Sequence, residues 1–288
     1  MTRVLTTFFL LSIVCALHAQ TYDDLIKSSD TSLTAYYSPM SEERAKTISA
    51  HCEKTIQYIS GLVGFKPKIT LLILNQEHWK KYAPNHVYGM PHGSKGVLVV
   101  ASEDNDFWRS FIPPLDKLPA DLSAKIKQAY TTKDGTLSMM AFFDLLALHE
   151  LGHEFHIQGG LTMQRSWLQE LFCNIMLHTY VAEAEPENLA VLEIFPQMVV
   201  ASGTNGLSFT TLSDFEKNYG KMNPRNYGWY QCKLHVAAKK IYNAGGKKTF
   251  LRLWSELKRN TTEMTDEQLL SFLNTQVSKE VAKEVTDW

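Results

Sequence analysis

Residues Leu148-His149-Glu150-Leu151-Gly152-His153 constrain this chain more than any other stretch. They spell HExxH inside a run of helix-forming, mostly apolar residues, with 139–148 before the motif and Phe155 after it. On a helix, positions four apart share one face, so the two imidazoles point the same way. Neutral imidazoles at that spacing can hold one zinc ion and leave room for a third protein ligand and a water. Glu150, beside the first histidine, is then placed to take a proton from that water. The set implies metal-assisted hydrolysis, most often of a peptide bond. The alternative is a packed helix carrying two hydrogen-bonded core histidines.

The residues after His153 narrow the choice of a third ligand. A metzincin continues as HExxHxxGxxH, but His156 stands at the Gly position and Gly159 at the last His position, so that pattern fails. His156 comes back over the face of His149 after seven residues, yet ~10 Å further along the axis. Three ligands from one straight helix do not converge on one ion, which leaves His156 to support a ligand histidine or to line a substrate groove. Gly159 and Gly160 suit a helix stop and turn. A second apolar, helix-like segment then carries Ser166-Trp167-Leu168-Gln169-Glu170-Leu171-Phe172-Cys173-Asn174. A helical hairpin would return Glu170 over the His149 helix. A carboxylate between Leu168, Leu171 and Phe172 is an expensive thing to bury unless it is paired. Asn174, one turn further on the same face, can orient a ligand histidine. Cys173 reads as a small packing residue.

These residues resemble the gluzincins, zinc peptidases with HExxH and a Glu ligand on the next helix. The segment Trp167 to Asn174, WLQELFCN, is similar to the WLxEGxA of M1-type members, with Glu170 in the ligand position. The gap from His153 to Glu170 is slightly short, Leu171 replaces the customary Gly, and Glu154 is charged where the extended pattern prefers an uncharged residue. The GxMEN segment that grips a free amino terminus in M1 enzymes is missing, so aminopeptidase specificity is unsupported. In gluzincins an edge strand before the zinc helix binds the substrate backbone. The resemblance gives that role to Val97, Leu98, Val99 and Val100, a strand-like run that would act through main-chain hydrogen bonds. Gluzincins also supply a downstream Tyr or His to the oxyanion. Tyr227 and Tyr230, at the start of a helix-like segment, are the candidates, with His235 behind them.

Composition sets the outer limits. The chain has 288 residues, 44% hydrophobic, ample for a globular core. A net charge of -1 with no long basic run excludes nucleic acid as an expected partner. Residues 1–19 read as a signal peptide: Arg3, then an apolar core over 4–17, then Leu17-His18-Ala19. This implies a periplasmic or extracellular location, and no later segment could span a membrane. Of four cysteines, the expected mature chain keeps Cys52, Cys173 and Cys232, an odd number that rules out a disulfide scaffold.

Along the chain, 20–40 read as a polar lead-in and 41–62 as a helix. Residues 68–74 and 97–101 read as strands, and 76–82 as a short helix. Residues 103–120 are loop-like, with Pro113, Pro114 and Pro119. From 137 the pattern is mostly helical: the zinc helix over 137–156, the Glu helix over 166–183, a short helix bracketed by Pro186 and Pro196, and loop over 202–224. A long helix over 227–243 and a helical tail complete the chain. The expected fold is α+β: a small N-terminal sheet part over 20–136, then a helical part over 137–288, together one catalytic unit. The expected function is a secreted zinc metallopeptidase acting on peptides or proteins. Its rivals are a non-catalytic zinc-binding protein of the same fold and a zinc hydrolase of a non-peptide bond.

Overall fold

Two apolar runs, Thr70–Leu74 and Val97–Ala101, lie side by side in parallel, with Thr70 opposite Val97 and Leu74 opposite Ala101. Both are buried on both faces, as central parallel strands must be. The structure is a computed structural model that describes residues 21–288, so the expected signal peptide lies outside the described residues. In chain order the strands are β1 (Ile26–Lys27), β2 (Thr34–Tyr37), β3 (Thr70–Leu74), β4 (His92–Ser94) and β5 (Val97–Ala101). They form one sheet in the order β1-β2-β3-β5-β4, with β2, β3 and β5 parallel and the two edge strands antiparallel. The helices are α1 (Glu42–Val63), α2 (Gln76–Tyr82), α3 (Asp106–Arg109), α4 (Ala120–Tyr130), α5 (Met140–Gln158) and α6 (Ser166–Ala184). They continue as α7 (Leu189–Ala201), α8 (Leu212–Asn218), α9 (Pro224–Gly245), α10 (Lys247–Arg259), α11 (Asp266–Phe272) and α12 (Lys279–Thr286). The protein is α+β, a small five-stranded sheet followed by a mostly helical region.

The period of two in a strand sorts the core into two halves. Leu71, Ile73, Leu98 and Val100 face one way, into a cluster with α1, α5, α6 and α9. Leu72, Leu74, Val99 and Ala101 face the other, against Trp79, Trp108, Ile126, Phe142 and Phe143. Helix α5 contributes to both clusters, which is why it is apolar all round rather than on one stripe. Its one early charge, Asp144, is answered by a forked ion pair with Arg44 of α1.

Several sequence expectations are corrected here. The lead-in contributes β1 and β2 to the sheet. The loop-like stretch holds the short α3, and the unassigned residues after it form α4. Pro196 lies inside α7 rather than closing a helix, and the region read as loop over 202–224 contains α8, started by a Thr211–Asp214 capping box. The substrate-edge role of Val97, Leu98, Val99 and Val100 also fails, because β5 is paired on both sides and offers no free edge. The edge belongs to β4. Lys95 and Gly96, at φ 50° and 80°, close a two-residue hairpin that folds β4 back over β5. A lysine at a positive φ carries little turn signal, so the hairpin is not legible in the sequence.

Candidate metal centre

The site is built where α5 and α6 cross. The turn between them passes through Gly160 at φ 71°. The crossing is close because Gly152 has no side chain: a Cβ there would stand 3.0 Å from both Cβ and Sγ of Cys173. Glu170, one turn before Cys173 on α6, is thereby brought against the histidines of α5. His149 Nε2 lies 3.1 Å and His153 Nε2 3.7 Å from the same oxygen, Glu170 Oε2. All three side chains are largely or wholly buried, Glu170 at 1% exposure.

Each imidazole is also held from behind. His149 Nδ1 donates to Asn174 Oδ1 at 3.0 Å, and His153 Nδ1 lies 3.3 Å from His156 Nε2. With the Nδ1 proton engaged by Asn174, His149 turns its Nε2 toward the carboxylate oxygen. Two electron-rich atoms at 3.1 Å need a positive charge between them, a proton or a metal cation. The donor set of two imidazoles and one carboxylate, each histidine braced through its other nitrogen, suits zinc. Burial opposes the ionisation of Glu170, but hydrogen bonds and charge from His149 and His153 outweigh it and hold the carboxyl well below its ordinary range. Burial likewise opposes charge on His153, and Cys173 and Glu170 reverse that, raising it well above the ordinary imidazole value. His156 is pushed down to about 3 by burial and by the neighbouring His153, so it stays neutral.

A further group lies close by. His149, His153 and Cys173 each offer one ligand atom within 4.8 Å of the others. By sequence Cys173 reads as a packing residue. Its position three residues after Glu170 is the signal that it shares the ligand face. Burial pushes its thiol up to about 11, so it enters the site protonated.

Glu150 lines the cavity next to His149. Its Oε2 accepts the Gly93 N–H of β4 at 3.0 Å. Burial raises its carboxyl above the ordinary range, with His153 and His149 pulling the other way. One turn on, Glu154 Oε1 accepts the Gly96 N–H at 3.0 Å and its Oε2 accepts from Gln158 Nε2 at 2.8 Å. Gln158 then bonds the backbone of Lys68 in both directions. Residues 150, 154 and 158 thus form a polar stripe that docks α5 on the hairpin. The charge at position 154, a departure from the gluzincin pattern, holds the edge strand in place.

Beyond Glu150, the cavity of about 200 Å³ is bounded on one side by a stripe of α9: Pro224, Tyr227, Gly228, Gln231 and His235. Tyr227 is in that stripe and Tyr230 is outside it. The Tyr230 hydroxyl donates to Thr211 O at 2.7 Å and the residue is fully buried, so its candidacy for the oxyanion is corrected. Gln231 donates to the Tyr227 hydroxyl oxygen and to Glu170 Oε2, both at 2.8 Å, which leaves the Tyr227 proton free to donate. The Tyr219 hydroxyl donates to Glu170 Oε1 at 2.5 Å. Neither Tyr219 nor Gly93 carries a sequence signal; Gln231, one turn after Tyr227, does. The ring of His235 stands 6.2 Å from that of His149, and burial holds it well below the ordinary imidazole range. Cys52, Cys173 and Cys232 are all free and buried, and among the described residues no helix is long and apolar enough to cross a membrane.

No protein-family model matches this chain, and no curated protein matches it in sequence.

Proposed function

We propose that the chain is a zinc-dependent hydrolase of peptide bonds that acts outside the cytoplasm. The observation that carries this reading is the convergence of His149 Nε2 and His153 Nε2 on one oxygen of Glu170, with Glu150 beside them at a cavity. His149, His153 and Glu170 would hold the ion, Asn174 and His156 bracing the two imidazoles. Bound there, zinc supplies the Lewis acidity that makes water a usable nucleophile near neutral pH.

The remaining steps belong to the chain. Glu150 takes a proton from the attacking water and returns it to the leaving amine. Burial raises its proton affinity above that of an exposed glutamate, and the Gly93 N–H fixes its Oε2 beside the cavity it lines. Tyr227 donates its free proton to the developing oxyanion. Gln231 and Tyr219 hold the Glu170 carboxylate in place through hydrogen bonds to its two oxygens.

A non-catalytic metal site is the second reading, and Cys173 favours it. If its thiolate joined His149, His153 and Glu170, four protein ligands would close the site and leave no position for water. The experiment exposes the zinc-loaded protein and Glu150→Gln to a diverse peptide mixture, with products read by mass spectrometry. Cleavage by the wild type, reduced at least about 100-fold in a Glu150→Gln variant that keeps its zinc, is the expected result. Cleavage that survives the substitution removes Glu150 as the base. No cleavage by either protein, with zinc bound, moves the weight to the closed site or to a non-peptide substrate.

A further inference from the structure

The cavity beside Glu150 is walled by aromatic rings from three parts of the chain. Phe107 and Phe111 come from α3 and the turn after it, Phe142 and Phe143 from α5, and Phe195 from α7. At about 200 Å³ it is smaller than the ~300–1,000 Å³ of pockets that enclose whole small ligands, and it suits one side chain. Its polar lining groups His149, Glu150, Tyr227 and Gln231 each have a hydrogen-bond partner in the protein. Tyr227 keeps its hydroxyl proton free, and His235 has no hydrogen-bond partner among the described residues. His235 is 6% exposed and its ring lies 6.1 Å from that of Phe142.

Its ring nitrogens are not among the sealed, unpaired polar atoms of the described residues, so they open onto cavity space, where an occupant's hydroxyl can take the place of water. A purely apolar occupant would fill the aromatic wall and strand the His235 ring. A small polar occupant would pair with His235 and leave the phenylalanines wet. A ring with a hydroxyl at its far end does neither: its faces pack on the aromatic wall and its hydroxyl bonds the imidazole, which can donate or accept. We propose that this cavity is the specificity pocket for a tyrosine side chain, read at its hydroxyl tip by His235. The inference rests on the peptidase reading of the neighbouring site for its substrate class, and on the cavity alone for its chemistry.

Two measurements separate those supports. The first compares kcat/KM on peptides that differ only by Tyr, Phe or Leu at the residue preferred in the mixture digest. Tyr is expected to exceed Phe by about tenfold, since a site that must pair a buried polar group rejects the analogue lacking the hydroxyl. In His235→Leu the ratio should fall to about one, and His235→Gln, which keeps a donor and an acceptor, should recover part of it. Equal cleavage of Tyr and Phe peptides by the wild type overturns the proposal. The second measures binding of p-cresol and toluene to the wild type and to both variants by ligand-observed NMR, which needs no turnover. Tighter binding of p-cresol, lost in His235→Leu, supports recognition by His235. It does so even if no peptide is cleaved, in which case the peptidase reading falls and the pocket chemistry stands. Equal binding of the two overturns the proposal.

Discussion

At the scale of the residue, two side chains compete for the place of third ligand to the proposed metal ion. Glu170 and Cys173 share one face of α6, and both reach the histidines of α5. The carboxylate arrives ionised and the thiol arrives protonated, so Glu170 needs no proton loss to bind a cation. Glu170→Gln should therefore weaken zinc binding by more than about 100-fold, and Cys173→Ser by far less. Competition with a chromophoric chelator measures both, and the reverse order would assign the site to Cys173. The two tyrosines of α9 divide in the same way. Tyr227→Phe removes a free donor at the cavity and should lower kcat about 100-fold with little change in stability. Tyr230→Phe removes only the bond to Thr211 O, costs about 1 kcal/mol of stability and should leave kcat near wild type. Turnover and urea midpoints for the pair settle the assignment.

At the scale of the element, the decisive contact is helix on helix. Gly152 lets α6 approach α5, and the approach carries Glu170 to its place. Gly152→Ala puts a methyl group 3.0 Å from Cys173 Cβ and Sγ in a packed crossing. The expected cost is about 1–3 kcal/mol of stability, with weaker zinc binding because Glu170 moves with α6. A thermal melt and a zinc titration of the variant test both parts, and an alanine accepted without loss of either would show that the crossing has slack. The stripe of Glu150, Glu154 and Gln158 is the other element-scale device. It satisfies the N–H groups of Gly93 and Gly96 that an edge hairpin leaves over, and so joins the sheet to α5.

At the scale of the whole molecule, the sheet half and the helical half are joined by polar contacts to a buried carboxylate as well as by apolar packing. Glu185, just after α6, accepts from His51 and Lys54 of α1, from Tyr180 and from Asn188. Burial raises its proton affinity, but the bonds from His51 and Tyr180 and the charge of His51 outweigh it, leaving the carboxyl well below its ordinary range. A depressed carboxyl stabilises the fold above the unfolded-chain value near pH ~4.3 and loses that contribution as pH falls toward its native value. Glu185→Gln should therefore cost about 1 kcal/mol at pH 7, after solvent screening, and progressively less as pH drops below about 4. Urea unfolding of wild type and variant at pH 7 and pH 3 tests the sign. A gap that widens in acid would contradict it.

Taken by itself, the sequence determined the parts whose signal is local. The spacing of His149 and His153 put both imidazoles on one helix face, the glycines after Gln158 marked the turn, and Glu170 stood out as a carboxylate among apolar neighbours. The order of sheet first and helices afterwards came from the change of hydrophobic period from two to about 3.6. Tertiary structure decided what depends on residues distant in the chain. Which strand forms the edge was settled by a Lys95–Gly96 hairpin with little turn signal. Which tyrosine faces the cavity was settled by how α9 rotates against α6 and α7, since Tyr227 and Tyr230 are only one turn apart. The bonds from Tyr219 to Glu170 and from Gly93 to Glu150 join segments separated by 49 and 57 positions. Local periodicity cannot encode such pairs, because they exist only after the packed helices and the sheet have fixed the distance between them.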